Sequence, residues 1–183
     1  MLEITIPSKE IFLESNNTFI TVQETKLQLE HSLMSIKKWE AKWHVPYLHT
    51  EQKTTEQVID YIRCMTINKV NPECYYGLTE ENIIAIRDYI NNPMTATTFS
   101  DNPNKKPHKK EIYTAEIFYW QMIELNIPIE FQKWHLNQLL TLIHVISAKH
   151  EEAEGKNKLS PQAAAARRNA LNAKRRAKWH SKG

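Results

Sequence analysis

Two stretches in the C-terminal half limit what this chain can become. EIYTAEIFYWQMIELN, residues 111–126, carries apolar residues at helical spacing on two sides: Ile112, Ala115, Tyr119 and Met122 on one, Tyr113, Ile117 and Trp120 on the other. FQKWHLNQLLTLIHVISAKH, residues 131–150, repeats the pattern, with Phe131, Leu139, Leu142 and Ile146 beside a second line of Leu136, Leu140 and Ile143. A helix apolar on two sides belongs between other elements. Pro128 separates the two, so the spacing predicts a helical hairpin whose mutual packing forms the core, with the rest of the chain covering it.

That covering layer has its own signals. Leu2, Ile4 and Ile6 alternate with polar residues, TFITV follows the turn pair Asn16-Asn17, and Leu27 and Leu29 alternate in TKLQLE, which predicts three short strands in a small antiparallel sheet over 1–31. Ser32 is a natural N-cap for a helix over 33–44 bearing Ile36, Trp39 and Trp43, and Pro46 stops it. Thr54-x-x-Gln57 has the form of a capping box and predicts a helix over 55–67. Thr79 followed by Glu80-Glu81 opens a third helix, which ends by Asn92-Pro93. The expected fold is therefore α+β and mainly helical: the sheet over 1–31, a helical core over 32–150, and an appendage over 151–183. SDNPNKKPHKK, residues 100–110, has no apolar residue and is expected to be a mobile loop.

The appendage is set apart by charge. Nine of the 24 lysines and arginines lie from Lys156 onward, where there is no acidic residue, while the other 15 share residues 1–155 with all 21 aspartates and glutamates. An acidic body thus carries a basic tail. Ser160-Pro161 and the alanines after it predict a helix over about 161–178. Ala166, Ala170, Ala173 and Ala177 fall on one face, and Arg167, Leu171, Lys174, Arg175 and Lys178 broadly opposite. An alanine face buries little area, so the tail is expected to be detached and to order fully on a partner.

Several chemistries lack their sequence signatures. The three glycines, at 77, 155 and 183, form no phosphate-binding loop, and Cys64 and Cys74 have no CxxC spacing and are expected to be buried free thiols. The eight histidines include no HExxH or HxH; His135 and His144 flank the apolar face of the last core helix and are expected to be packed or half-exposed rings. Glu116, Glu124 and Glu130 have no nucleophile or phosphate loop beside them and are expected to be solvated or paired. No catalytic residue, cofactor site or metal site is assigned. No stretch approaches the roughly 20 apolar residues of a membrane span, and the start MLEITIPSKE has no signal-peptide character, so a soluble intracellular protein is expected. Of the five tryptophans, Trp39, Trp43, Trp120 and Trp134 occupy apolar stripes and are expected mainly in the core, whereas Trp179 stands in the basic tail.

The stretches SLMSIKKWEAKW, EQVIDYIRCM, NPMTATTFSD, FQKWHLNQLLTLI and RRNALNAKRRAKWHSKG resemble, across most of the chain, proteins from the tail-morphogenesis regions of long-tailed bacteriophages treated as tail assembly chaperones. The resemblance implies a non-enzymatic factor in the host cell cytoplasm. Such a factor binds the tape measure protein during tail assembly, with the tail tube protein and a second copy of the chain as further partners. Trp120 and Trp134 on the helix pair, and Arg167, Arg168, Lys174, Arg175, Arg176 and Trp179 in the tail, are the candidate partner contacts. The rival expectations are a nucleic-acid-binding phage protein that uses the basic tail on phosphate, and a structural tail or connector subunit.

Overall fold

Four strands, rather than three, build the N-terminal region: β1 (Leu2–Ile6), β2 (Lys9–Leu13), β3 (Thr18–Val22) and β4 (Thr25–Leu29). They form two antiparallel two-stranded sheets, β1 with β4 and β2 with β3. Paired positions add to the same total in both, from Leu2↔Leu29 through Ile6↔Thr25 and on from Lys9↔Val22 to Leu13↔Thr18. The two sheets are therefore one long hairpin, interrupted at Pro7-Ser8 and, opposite, Gln23-Glu24. Pro7 has no N–H to give to a ladder, which accounts for the break. The inner half buries Ile4, Ile6, Leu27 and Leu29, whereas Phe12 and Phe19 of the outer half are exposed and contact each other at 4.9 Å between ring centroids.

The computed structural model describes residues 1–13, 17–99 and 112–153, together with Arg168, Asn169 and Asn172. It is mixed α+β and mainly helical, with α1 (Leu33–Trp43), α2 (Thr55–Met65), α3 (Glu80–Asn91), α4 (Ala115–Glu124) and α5 (Leu136–Ala153). Two 3₁₀ helices, Pro72–Gly77 and Ile129–Lys133, precede α3 and α5. The chain divides into two compact units, Met1–His144 and Val145–Gly183. The expected loop over 100–110 lies outside the described residues, as does most of the tail helix.

Each of the first three helices starts where its capping residue requires. Ser32 accepts from the Ser35 N–H, and Thr54 and Gln57 complete a reciprocal capping box at 3.2 and 3.0 Å. Thr79 and Asn82 form the same arrangement at 3.2 and 3.3 Å, ahead of Glu80 and Glu81 in the first turn. α1 ends on His44, whose left-handed backbone lets its N–H return to the Glu40 carbonyl just before Pro46.

The core gathers around α1, not between α4 and α5 as the hairpin expectation had it. Leu33, Ile36 and Trp39 are fully buried, and α1 packs on α2, α4 and the Ile129–Lys133 helix. Residues 131–134 do not join the last helix. The Leu136 N–H donates to the His31 carbonyl at 2.8 Å, and Ser32 bridges to His135, so α5 begins beside the N-terminus of α1. α4 likewise starts at Ala115, not residue 111, because the Ala115 N–H donates to the buried carboxylate of Glu40 at 2.8 Å. Gly77 closes the sheet side: a Cβ there would stand 2.8 Å from Ile6 Cγ2 and 2.9 Å from Val22 Cγ1.

Candidate functional site

Glu40 fixes the orientation of α4. Its two oxygens accept from the backbone N–H groups of Tyr47 (2.7 Å) and Ala115 (2.8 Å), so one buried carboxylate ties α1, the following loop and the first residue of α4 together. Ala115, Phe118 and Met122 then turn inward and are buried. Tyr119 is held at the flank: its hydroxyl donates to Gln132 Oε1 at 2.8 Å, and Lys37 Nζ lies 5.3 Å from its ring centre. The face left over is Glu116, Trp120, Ile123 and Glu124, at steps of four, seven and eight residues. Trp120 is 60% exposed and Ile123 74%. Ile129, on the short helix that Tyr119 anchors, is exposed as well.

The expected tryptophan placement is thus correct for Trp39 and wrong for Trp120. Trp39 is buried with its indole N–H donating to the Gln57 carbonyl at 2.9 Å. Trp43 is half-buried, donating to Asp60 Oδ2 at 3.0 Å beside the Lys42–Asp60 ion pair. Trp134 is half-buried and stacked on Phe131 at 4.0 Å, and no ring contact among the described residues joins it to Trp120. Of the two candidate contacts on the helix pair, Trp120 stands on the outward face of α4, whereas Trp134 is half-buried against Phe131. Ile123, absent from both expected stripes, is the second member of that face. Arg168 is helical and exposed; Arg167, Lys174, Arg175, Arg176 and Trp179 lie outside the described residues.

At the starts of α1 and α5 is a buried polar cluster that histidine spacing did not reveal. His31 Nδ1 lies 2.6 Å from the Tyr61 hydroxyl, and its ring is 5.0 Å from that of His135. His135 Nε2 donates to the Tyr89 carbonyl at 3.0 Å, and its Nδ1 accepts from the Asn137 N–H at 3.3 Å, an arrangement that suits the neutral ring. The Tyr89 hydroxyl donates to Glu30, which also faces the N-terminal ammonium. Burial, and next the neighbouring His135, lower the His31 pKa to about 3. Burial also lowers that of His135 and raises those of Tyr61 and Tyr47, the two stacked rings beside His31. These groups stay neutral near pH 7 and pin the starts of α1 and α5 to α3.

Little else is arranged for chemistry. Burial, then Asp60, push the Cys64 thiol up to about 11, and burial raises that of the buried Cys74, so neither is a ready thiolate. His144 is exposed and stacks on Phe99 at 3.9 Å. Glu116, Glu124 and Glu130 are exposed. Among the described residues no three His, Cys, Asp or Glu converge to hold a metal, and no helix is long and apolar enough to cross a membrane. No protein-family model, curated protein or solved structure matches the chain.

Proposed function

We propose that this chain is a non-enzymatic phage tail assembly chaperone, which holds an apolar helical segment of the tape measure protein against the outer face of α4 while the tail assembles. The observation that carries the reading is the exposure of Trp120 and Ile123 side by side on a helix whose other side is fixed in the core. A large aromatic anchor beside an aliphatic one is the usual make-up of an interface hot spot. Covering each is worth about 1.5–3 kcal/mol. A contact of that size holds a client reversibly, as a factor that must later release it requires. The choice of client rests on the resemblance of the sequence to tail-morphogenesis proteins.

The test is co-expression with the tape measure and tail tube proteins, comparing the full chain with its Trp120→Asp, Ile123→Asp double variant. The wild-type chain should keep the tape measure protein in the supernatant and co-purify with it, and the folded variant should not. Retention by neither, or equally by both, removes the proposal. DNA binding that weakens steeply with salt, without any effect on the tape measure protein, would favour the rival in which the basic tail meets phosphate.

A further inference from the structure

A second surface stands on α2 and α3. α2 packs on α1 and β4, and α3 on β1. The two helices border a cavity of about 530 Å³, floored by Val58 and Ile62 of α2 and by Ile83, Ile86 and Ile90 of α3. The stacked pair Tyr47 and Tyr61 contributes to its wall. Val58 and Ile83 remain 37% and 36% exposed at its edge. The α3 residues recur at steps of three and four, covering two turns or roughly 10 Å, which is the reach of the i, i+3, i+7 face of another helix.

Charge narrows the occupant. Lys53 and Arg87 line the same cavity, with Glu51 the one carboxylate among its lining residues. Lys53 Nζ lies 4.3 Å from the centre of the Tyr47 ring and donates to the Thr50 carbonyl at 2.7 Å. Among the described residues, no carboxylate forms an ion pair with Lys53 or Arg87. Burial lowers the Lys53 pKa, a cost that an incoming carboxylate would offset.

We propose that the α2–α3 groove is a second docking site, which takes an amphipathic helix of a partner protein carrying carboxylates beside its apolar face. The isoleucines and Val58 receive the apolar side chains, and Lys53 and Arg87 meet the flanking carboxylates. A helix with basic flanks would instead bring like charges together. Trp120 lies outside the groove lining, so this site and the α4 face act separately.

The test uses the full chain and two labelled synthetic helical peptides with the same leucine stripe, one flanked by glutamates and the other by lysines, titrated by fluorescence anisotropy at physiological salt. Val58→Ser with Ile83→Ser should remove the groove-dependent binding, and thermal melts check that each variant is folded. Within that binding, the glutamate peptide should be favoured on the order of tenfold, equivalent to about 1.4 kcal/mol. Lys53→Glu with Arg87→Glu should invert the preference. Absence of groove-dependent binding, or equal affinity of that binding for both peptides, would each overturn the assignment. None of these results depends on whether α4 holds the tape measure protein.

Discussion

Mild acid should destabilise this fold through His31, in a measurable and residue-specific way. The ring is almost completely buried, hydrogen-bonded to Tyr61, and faces His135, and its pKa is lowered from 6.5 to about 3. Below pH 6.5 the unfolded chain takes up a proton that the folded chain refuses until near pH 3. The stability due to the neutral buried ring is therefore complete above 6.5 and is lost as pH falls toward 3. Linkage gives a loss of about 2 kcal/mol between pH 7 and pH 5, growing to roughly 4–5 kcal/mol near pH 3. His135, lowered in the same direction, adds to it. Urea unfolding of the wild-type chain and of His31→Asn at pH 7, 6 and 5 isolates the effect. The variant starts less stable, because the Tyr61 hydroxyl loses its partner, but its loss on acidification should be smaller by about 2 kcal/mol. Parallel pH dependences in the two proteins would show that His31 is not the group responsible.

Other expectations are simpler to read. Gly77→Ala should cost about 1–3 kcal/mol in urea unfolding, because the new methyl meets Ile6 and Val22 inside 3 Å and both are buried. Thr54→Ala, which removes one half of the α2 capping box, should lower stability by about 1 kcal/mol in the same assay. The two tryptophans should behave oppositely in thermal melts. Trp39→Ala should cost about 3–5 kcal/mol, since it empties a fully buried site and abandons the Gln57 carbonyl. Trp120→Ala should change stability by no more than about 0.5 kcal/mol, being 60% exposed.

The parts of this fold that were legible in the sequence are those with a local cause. Ser32, Thr54 and Thr79 mark helix starts because a cap satisfies N–H groups two or three residues away. β1 and β4 show alternation because one face of each is buried, whereas β2 belongs to the exposed half of the hairpin and carries Ile11, Phe12 and Leu13 in an unbroken run. The arrangement of the last helices was not legible, because two-sided apolar periodicity demands burial without naming the neighbour. Here the deciding group is Glu40, a single buried carboxylate that collects N–H groups from positions 47 and 115. His31 and His135 meet only through the fold, and the outward turn of Trp120 follows from the anchoring of Ala115 and Tyr119 earlier in the same helix.

Photocrosslinking from α4 locates the client on the protein surface. Benzoylphenylalanine placed at position 120 of the full chain, co-expressed with the tape measure protein and irradiated, should give a covalent adduct with that protein. The same group at exposed position 84 of α3 is the control. A strong adduct from position 120 and little from 84 is the predicted result. Adducts from 84 alone, or from neither position while the two proteins still co-purify, would show that the outer face of α4 is not where the client is held.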